Sequence, residues 1–376
     1  MRIVNLIENT AGARGCAAAH GLSFYVETAR HKVLVDAGPG AAMAENAARL
    51  SIDLSAVDTV VLTHGHYDHT DGLAAFLEQN DHAKIYLREA ALDDYYAKEK
   101  AEEQGASWRY LGMDPVLKDF LRKNPDRVIF TDDSEKIDEE LLLFAGFSGE
   151  HSVPAGNSRL RVKTSEGYIQ DDFRHEQCLV VVENGRYVLF SGCAHSGVEN
   201  ILDCFHKLYG RLPDAMISGF HTKKKELYSE EEITELVRMA IRLDHLPIQF
   251  YTCHCTGLPV FEVLRSVMED QIVYIHSGEE VSLRFLTDRP GGGAVRAEED
   301  CLRAGLNEGQ SGLEIAGKKQ RQRNQSPQNK TGSARNSEDH IQNREKRSHY
   351  MKYHKFFAWA TVFCFLATMI TGMRRK

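Results

Sequence analysis

The chain has 376 residues and a formal net charge of −8, with a tail from Asp288 onward at +8 and the preceding residues at −16. An acidic body excludes nucleic acid as the main partner, because gripping a phosphate backbone needs a basic face. Eight cysteines without a CxxC pair, in a chain able to bury its own core and with no secretory signal at residues 2–7, fit reduced thiols in a cytoplasmic domain.

Residues 3–8 and 21–28 read as the first strands, joined by a Gly- and Ala-rich loop over 9–20 that can lie over a cleft. Lys32-Val33-Leu34-Val35 is a third strand, ending at Asp36 and a glycine turn. An aspartate at a strand end ordinarily bonds backbone amides. After an Ala-rich helix over 41–50, the β-branched run Thr59-Val60-Val61-Leu62 predicts a buried strand. Thr63-His64-Gly65-His66-Tyr67-Asp68-His69-Thr70-Asp71-Gly72 then reads as a loop at its end. Three imidazoles and two carboxylates within ten residues form a donor set that suits zinc and its first-row neighbours. In an extended loop His64 and His66 point to one side and pinch a single ion. Asp68 and His69 follow where the chain turns, and face a second ion beside the first.

A helix over 73–79 and a strand over 84–87 come next. Residues 88–123 read as a long, mostly helical insertion. Its Tyr95, Tyr96, Trp108, Arg109 and Tyr110 either anchor a helix pair or line a pocket. Strands over 127–131 and 141–147 precede the second half. There 178–183 and 186–191 form a hairpin around Asn184-Gly185, delivering Ser191-Gly192-Cys193-Ala194-His195-Ser196-Gly197 to a strand end before a helix over 198–209. The stretch Ala215-Met216-Ile217-Ser218-Gly219-Phe220-His221 places His221 at a strand end, the lysines 223 to 225 follow, and a helix spans 229–242. The strand 248–251 ends in Thr252-Cys253-His254-Cys255-Thr256-Gly257. A helix over 259–268 follows, and 280–285 closes the domain. In both halves strands feed loops bearing His or Asp, which suits two similar halves facing one site.

Residues 287–350 are polar and basic, and read as a disordered linker that buries too little apolar surface to offset ordering entropy. Within the terminal segment 351–376, the 18 uncharged residues over 356–373 reach the minimum length of a bilayer span, and flanking cations can snorkel to headgroups. A transmembrane helix tethering the domain to a membrane is the expectation.

THGHYDH resembles the HxHxDH signature of the metallo-β-lactamase superfamily. GLSFYVET, LVDAG, SGCAHSGVENIL, ISGFH and YTCHCTG extend the resemblance over about residues 1–286. Within the superfamily they look most like the dihydropteroate-synthase-like metallo-hydrolases, a group related to 7,8-dihydropterin-6-yl-methyl-4-(β-D-ribofuranosyl)aminobenzene 5′-phosphate synthase. The resemblance implies an α+β fold, a four-layer αβ/βα sandwich with a one- or two-metal site at one edge, as the domain over 1–286. It places His64 and His66 on a first metal, Asp68 and His69 on a second, and His254 at the position of the superfamily's last histidine. Asp36 is implied to support the metal loop.

Where the lactamase pattern has a bridging aspartate, this chain has Cys193. His195, in the group's GCxH motif, is then preferred as a ligand, with His175 as its rival. Cys193 is either a soft thiolate ligand or an inert buried thiol, and Cys253 and Cys255 read as inert thiols. The expected activity is that of a metal-dependent hydrolase with two divalent ions, zinc ahead of Mn2+ or Fe. Held about 3.5–4 Å apart, they lower the pKa of a bound water from 15.7 towards about 7, and the hydroxide attacks a phosphoryl or carbonyl centre of a small substrate. Asp68 would both ligate and orient that nucleophile. His221 and Lys223 would bind a substrate anion such as a phosphate. The competing readings are a redox protein and a non-catalytic metal-binding module of the same fold. Oligomeric state stays open.

Overall fold

The computed structural model describes residues 1–12, 14–99, 107–224 and 227–286. The chain divides into two units, Met1–Gly305 and Leu306–Lys376, and every described residue lies in the first.

Two large sheets carry the architecture. In the first, Arg2–Ile7, Ser23–Glu27 and Lys32–Val35 form an antiparallel edge, and the sheet continues in parallel through Thr59–Val61, Lys84–Leu87 and Val128–Phe130. The second repeats the plan. Ser134–Lys136, Leu141–Ala145, Gln177–Glu183 and Arg186–Ser191 are antiparallel, and Ala215–Ser218, Gln249–Thr252 and Ile272–Tyr274 run parallel to the last of them. The hairpin turn Asn184-Gly185 has φ of 52° and 73°, as a two-residue turn matched to strand twist requires.

Side-chain alternation builds the layers, because neighbouring residues of a strand face opposite sides. Phe24, Val26, Val33 and Val35 pack with Leu143, Leu179 and Phe190 of the second sheet. Their neighbours Tyr25 and Leu34 pack instead with Met43 and Ala47 of helix Ala42–Arg49, Phe76 of Leu73–Leu77, and Leu117 and Leu121 of Pro115–Lys123. Helices Val198–Tyr209, Glu230–Asp244 and Leu258–Met268 cover the second sheet with Phe205, Leu243 and Leu264. The result is a mixed α+β sandwich of helix, sheet, sheet and helix.

Two expectations are corrected. The mostly helical insertion over 88–123 is instead part of a small antiparallel sheet, ordered Gly167–Gln170, Leu160–Thr164, Tyr95–Lys98 and Trp108–Tyr110, followed by helix Pro115–Lys123. Aromatic cross-strand packing outweighs the helix-forming Ala, Glu and Lys there: Trp108 stacks on Tyr168 at 4.1 Å, and Tyr96 meets Tyr110 and Tyr168 edge-on. The membrane-spanning helix is the second correction. Among the described residues no helix is long and apolar enough to cross a membrane. The longest of them, Glu230–Asp244, has 15 residues, about 22 Å against a hydrocarbon core of about 30 Å. Segment 351–376 and linker 287–350 lie outside the described residues.

Candidate metal centre

Strand register explains why so many polar side chains meet at one edge. Val35 stands beside Val61, and Ser191, Ser218 and Thr252 form one row. Antiparallel neighbours begin where these strands end, since Ser23 faces Ile7 and Phe24 faces Val35. Residues that follow strand ends (Glu8, Asp36, His64, Cys193, His221 and His254) therefore share an edge with those that precede strand starts (His20 and His175). Gln177 ties the two sheets there: its N–H donates to Thr63 O at 2.8 Å and its side chain to Leu62 O at 2.8 Å.

His64, His66 and His195 form one cluster, a ligand atom from each lying within 4.8 Å of the others. All three are buried, and the Nε2 of each has no hydrogen-bond partner. Thr63 Oγ1 lies 3.0 Å from Nδ1 of His64, and Asn157 Oδ1 lies 3.0 Å from Nδ1 of His195, so in these two rings Nε2 is the nitrogen left over. Burial, reinforced by neighbouring imidazoles, pushes His64 and His195 well below the ordinary histidine range and His66 to about 3. Neutral imidazole is the form that binds a metal. Leaving buried nitrogens unpaired is costly, and three of them converging fit a cation.

Asp68, His69 and His254 form a second cluster beside it. His69 Nε2 lies 3.3 Å from His254 Nε2 and 4.0 Å from Asp68 Oδ2, and His254 Nε2 lies 3.4 Å from Asp68 Oδ2. Asp36 sets the orientation of His69. Its Oδ2 is 2.6 Å from His69 Nδ1 and accepts from Thr63 Oγ1 at 2.8 Å, while Oδ1 accepts from Thr63 N at 2.7 Å. With both oxygens so engaged, Asp36 holds the loop. Burial opposes charge on His69, but the Asp36 carboxylate overrides it and raises the imidazole to about 9. Burial likewise opposes charge on Asp68, and His254 and His69 hold its carboxyl far below the usual range. Cys193 Sγ lies 3.2 Å from His69 Nε2. Burial, with Cys255 alongside, pushes its thiol well up.

His175 stands apart in its bonding. Its Nδ1 accepts from Gly65 N at 3.0 Å and its Nε2 lies 3.3 Å from Asp171 Oδ2, so both nitrogens are turned towards the chain. The ring of His221 lies 4.1 Å from that of His195, and its buried Nδ1 has no partner. Lys223 donates its backbone N–H to Cys255 O, and Lys224 pairs with Glu232. Asp36, Phe173, Ala194, His221 and His254 all have φ between 47° and 56°, a region sparsely used by non-glycine residues and typical of functional sites.

Sequence reasoning passed over several supports. Buried Glu176 accepts from the N–H groups of His195 and Ser196 at 2.7 and 2.9 Å. Glu8 accepts from His254 N at 3.0 Å, and Asn9 Oδ1 lies 2.9 Å from His254 Nδ1. Phe173 stacks on His195 at 4.6 Å. His20 also lies in this group, its Nε2 3.4 Å from Asp68 Oδ2. The signal that could have found it is its place just before a strand antiparallel to the one ending at Asp36. A cavity of about 370 Å³ adjoins the first cluster, lined by Val153, Asn157, Gln170, Asp171 and Phe173 among others.

Comparison with known proteins agrees with this geometry. An uncharacterized protein of Methanocaldococcus jannaschii is 27% identical over 283 residues, 74% of this chain and 98% of the relative. From the same organism, 7,8-dihydropterin-6-methyl-4-(beta-D-ribofuranosyl)-aminobenzene-5'-phosphate synthase is 25% identical over 306 residues, 74% of this chain and 95% of that one. Among solved structures, Tm1679, a metal-dependent hydrolase of the beta-lactamase superfamily, superposes with a TM-score of 0.61 at 26% identity, over 75% of this chain and 99% of its own. Residues 18–156, which include the whole His64–His69 loop, match the family model for the metallo-beta-lactamase superfamily. The chain carries a metallo-β-lactamase superfamily domain, with its candidate metal-binding side chains gathered at one sheet edge.

Proposed function

We propose that the protein is a hydrolase or related transferase working with two divalent cations, zinc by preference, on a small phosphate-bearing substrate. The observation that carries this reading is the pair of adjoining clusters, one of them with three buried imidazole nitrogens lacking partners. His64, His66 and His195 would hold one cation, and Asp68, His69 and His254 the other. Imidazole and carboxylate donors favour zinc among the common divalent ions. When bound, such a pair polarises the scissile group and makes water a nucleophile near neutral pH.

The chain's own residues do the positioning. Asp36, Asn157 and Asn9 each face Nδ1 of one histidine, His69, His195 and His254 in turn, which selects the ring nitrogen left for binding. Asp68 is held ionised and would accept a proton or orient the attacking water. His221, whose Nδ1 lacks a partner beside His195, and Lys223 would receive the substrate's anionic group. The cavity behind His195 would take its non-reacting part. A relative named for a 5'-phosphate product supports the phosphate assignment.

Elemental analysis of the purified protein beside His66→Ala tests the ligand set. We expect two metal equivalents in the wild type and at least one fewer in the variant. Equal metal content in both would overturn it. Turnover on a panel of phosphomonoesters, phosphodiesters, lactones and thioesters then tests the substrate class, with the phosphoesters expected to be cleaved.

A further inference from the structure

We propose that His20 is a fourth side-chain ligand of the second cation, on its solvent side, and the one that yields to substrate. This rests on the paired-cation reading above. One donor atom each of His20, Asp68 and His254 lies within 4.8 Å of the others. Four ligands placed tetrahedrally at zinc bond lengths are separated from one another by about 3.3–3.4 Å. Four of the six separations among these side chains are 3.3 Å for His69 to His254, 3.4 Å for His254 to Asp68, 3.4 Å for His20 to Asp68 and 4.0 Å for His69 to Asp68. A charge-assisted hydrogen bond closes to about 2.7–2.9 Å. The His20–Asp68 distance matches the separation of two donors around a common centre.

The backbone on either side holds His20 in place. Ala19 N donates to Glu8 O at 3.0 Å and Leu22 N to Asp68 O at 3.1 Å. Between them Gly21 approaches Asp68 so closely that a Cβ would lie 2.3 Å from its carbonyl oxygen. Asn9 Oδ1 lies 3.3 Å from Nδ1 of His20 as well as 2.9 Å from Nδ1 of His254, so one amide orients both rings with Nε2 towards Asp68. The His20 side chain is 55% exposed, against 10% for Asp68 and 0% for His69 and His254. Of the four it alone can swing out without opening the core.

Zinc titration of the chelator-stripped, full-length protein against a competing chromophoric chelator tests this in wild type and His20→Ala. His254→Ala identifies which dissociation constant belongs to the second cation. We expect two zinc ions in the wild type, and in His20→Ala a second constant raised about tenfold or more with the first unchanged. Two ions with unaltered constants in His20→Ala would overturn the assignment of His20 and leave the paired-cation reading standing. Fewer than two ions in the wild type would overturn both.

Discussion

Asp36 shows how much one side chain organises. Its oxygens take a backbone N–H, a hydroxyl and an imidazole nitrogen. Asp36→Asn exchanges one acceptor for a donor facing other donors, so His69 loses its fixed tautomer. We expect zinc affinity to fall about 10–100-fold, the usual cost of removing such an outer partner, as read by competition titration. Asp36 was legible in the sequence as a strand-end aspartate. Its left-handed backbone and its contact with His69 Nδ1 were not, because both belong to the tertiary packing of the strand end against the histidine loop, where Gly192 also comes so close that a Cβ there would lie 2.1 Å from Thr63 Oγ1.

At the level of elements, strands with strong alternation or β-branched runs were readable, and so was the hairpin at Asn184-Gly185. Cross-strand aromatic pairs were not, since Tyr96 and Tyr168 are brought together only by the Leu160–Thr164 strand between them. Helix starts were readable where chemistry marks them. Ser229 accepts from Glu232 N while the Glu232 side chain accepts from Ser229 N, a reciprocal cap at the start of Glu230–Asp244. Ser229→Ala should destabilise the fold by about 1 kcal/mol, seen as a lower urea midpoint, with metal content unchanged because Ser229 bonds to Glu232 and not to any of the histidines assigned to metal.

Across the whole molecule, stability should depend on pH in a way set by the site. In the metal-free protein His64, His66 and His195 stay neutral while the unfolded chain's histidines take up protons near pH 6.5. Their contribution is therefore full above about pH 6.5 and is lost as pH falls towards the folded values, about 3 for His66. His69, raised to about 9, acts oppositely: its contribution is present below its unfolded value and is lost as pH rises through 9. Urea unfolding after chelation should show a lower midpoint at pH 5 than near pH 6.5, with a smaller fall towards pH 9. A chain ending at Leu286 should keep full zinc stoichiometry. Relatives matched over 98% and 99% of their own length pair with only about three quarters of this one. The halves' resemblance to each other was legible as repeated strands feeding His- or Asp-bearing loops. That they face one site was expected from the same repetition; the Gln177 tie that holds the two sheets together there was not, because it joins residues 115 positions apart.

The clamp on His254 by Glu8 and Asn9 joins the chain's beginning to nearly the last strand of the domain. A ribosome adding residues in order has the His64–His69 loop ready long before its counterpart emerges. On the paired-cation proposal, the second cation would be loaded late in biogenesis, and an interrupted translation product would hold one metal at most.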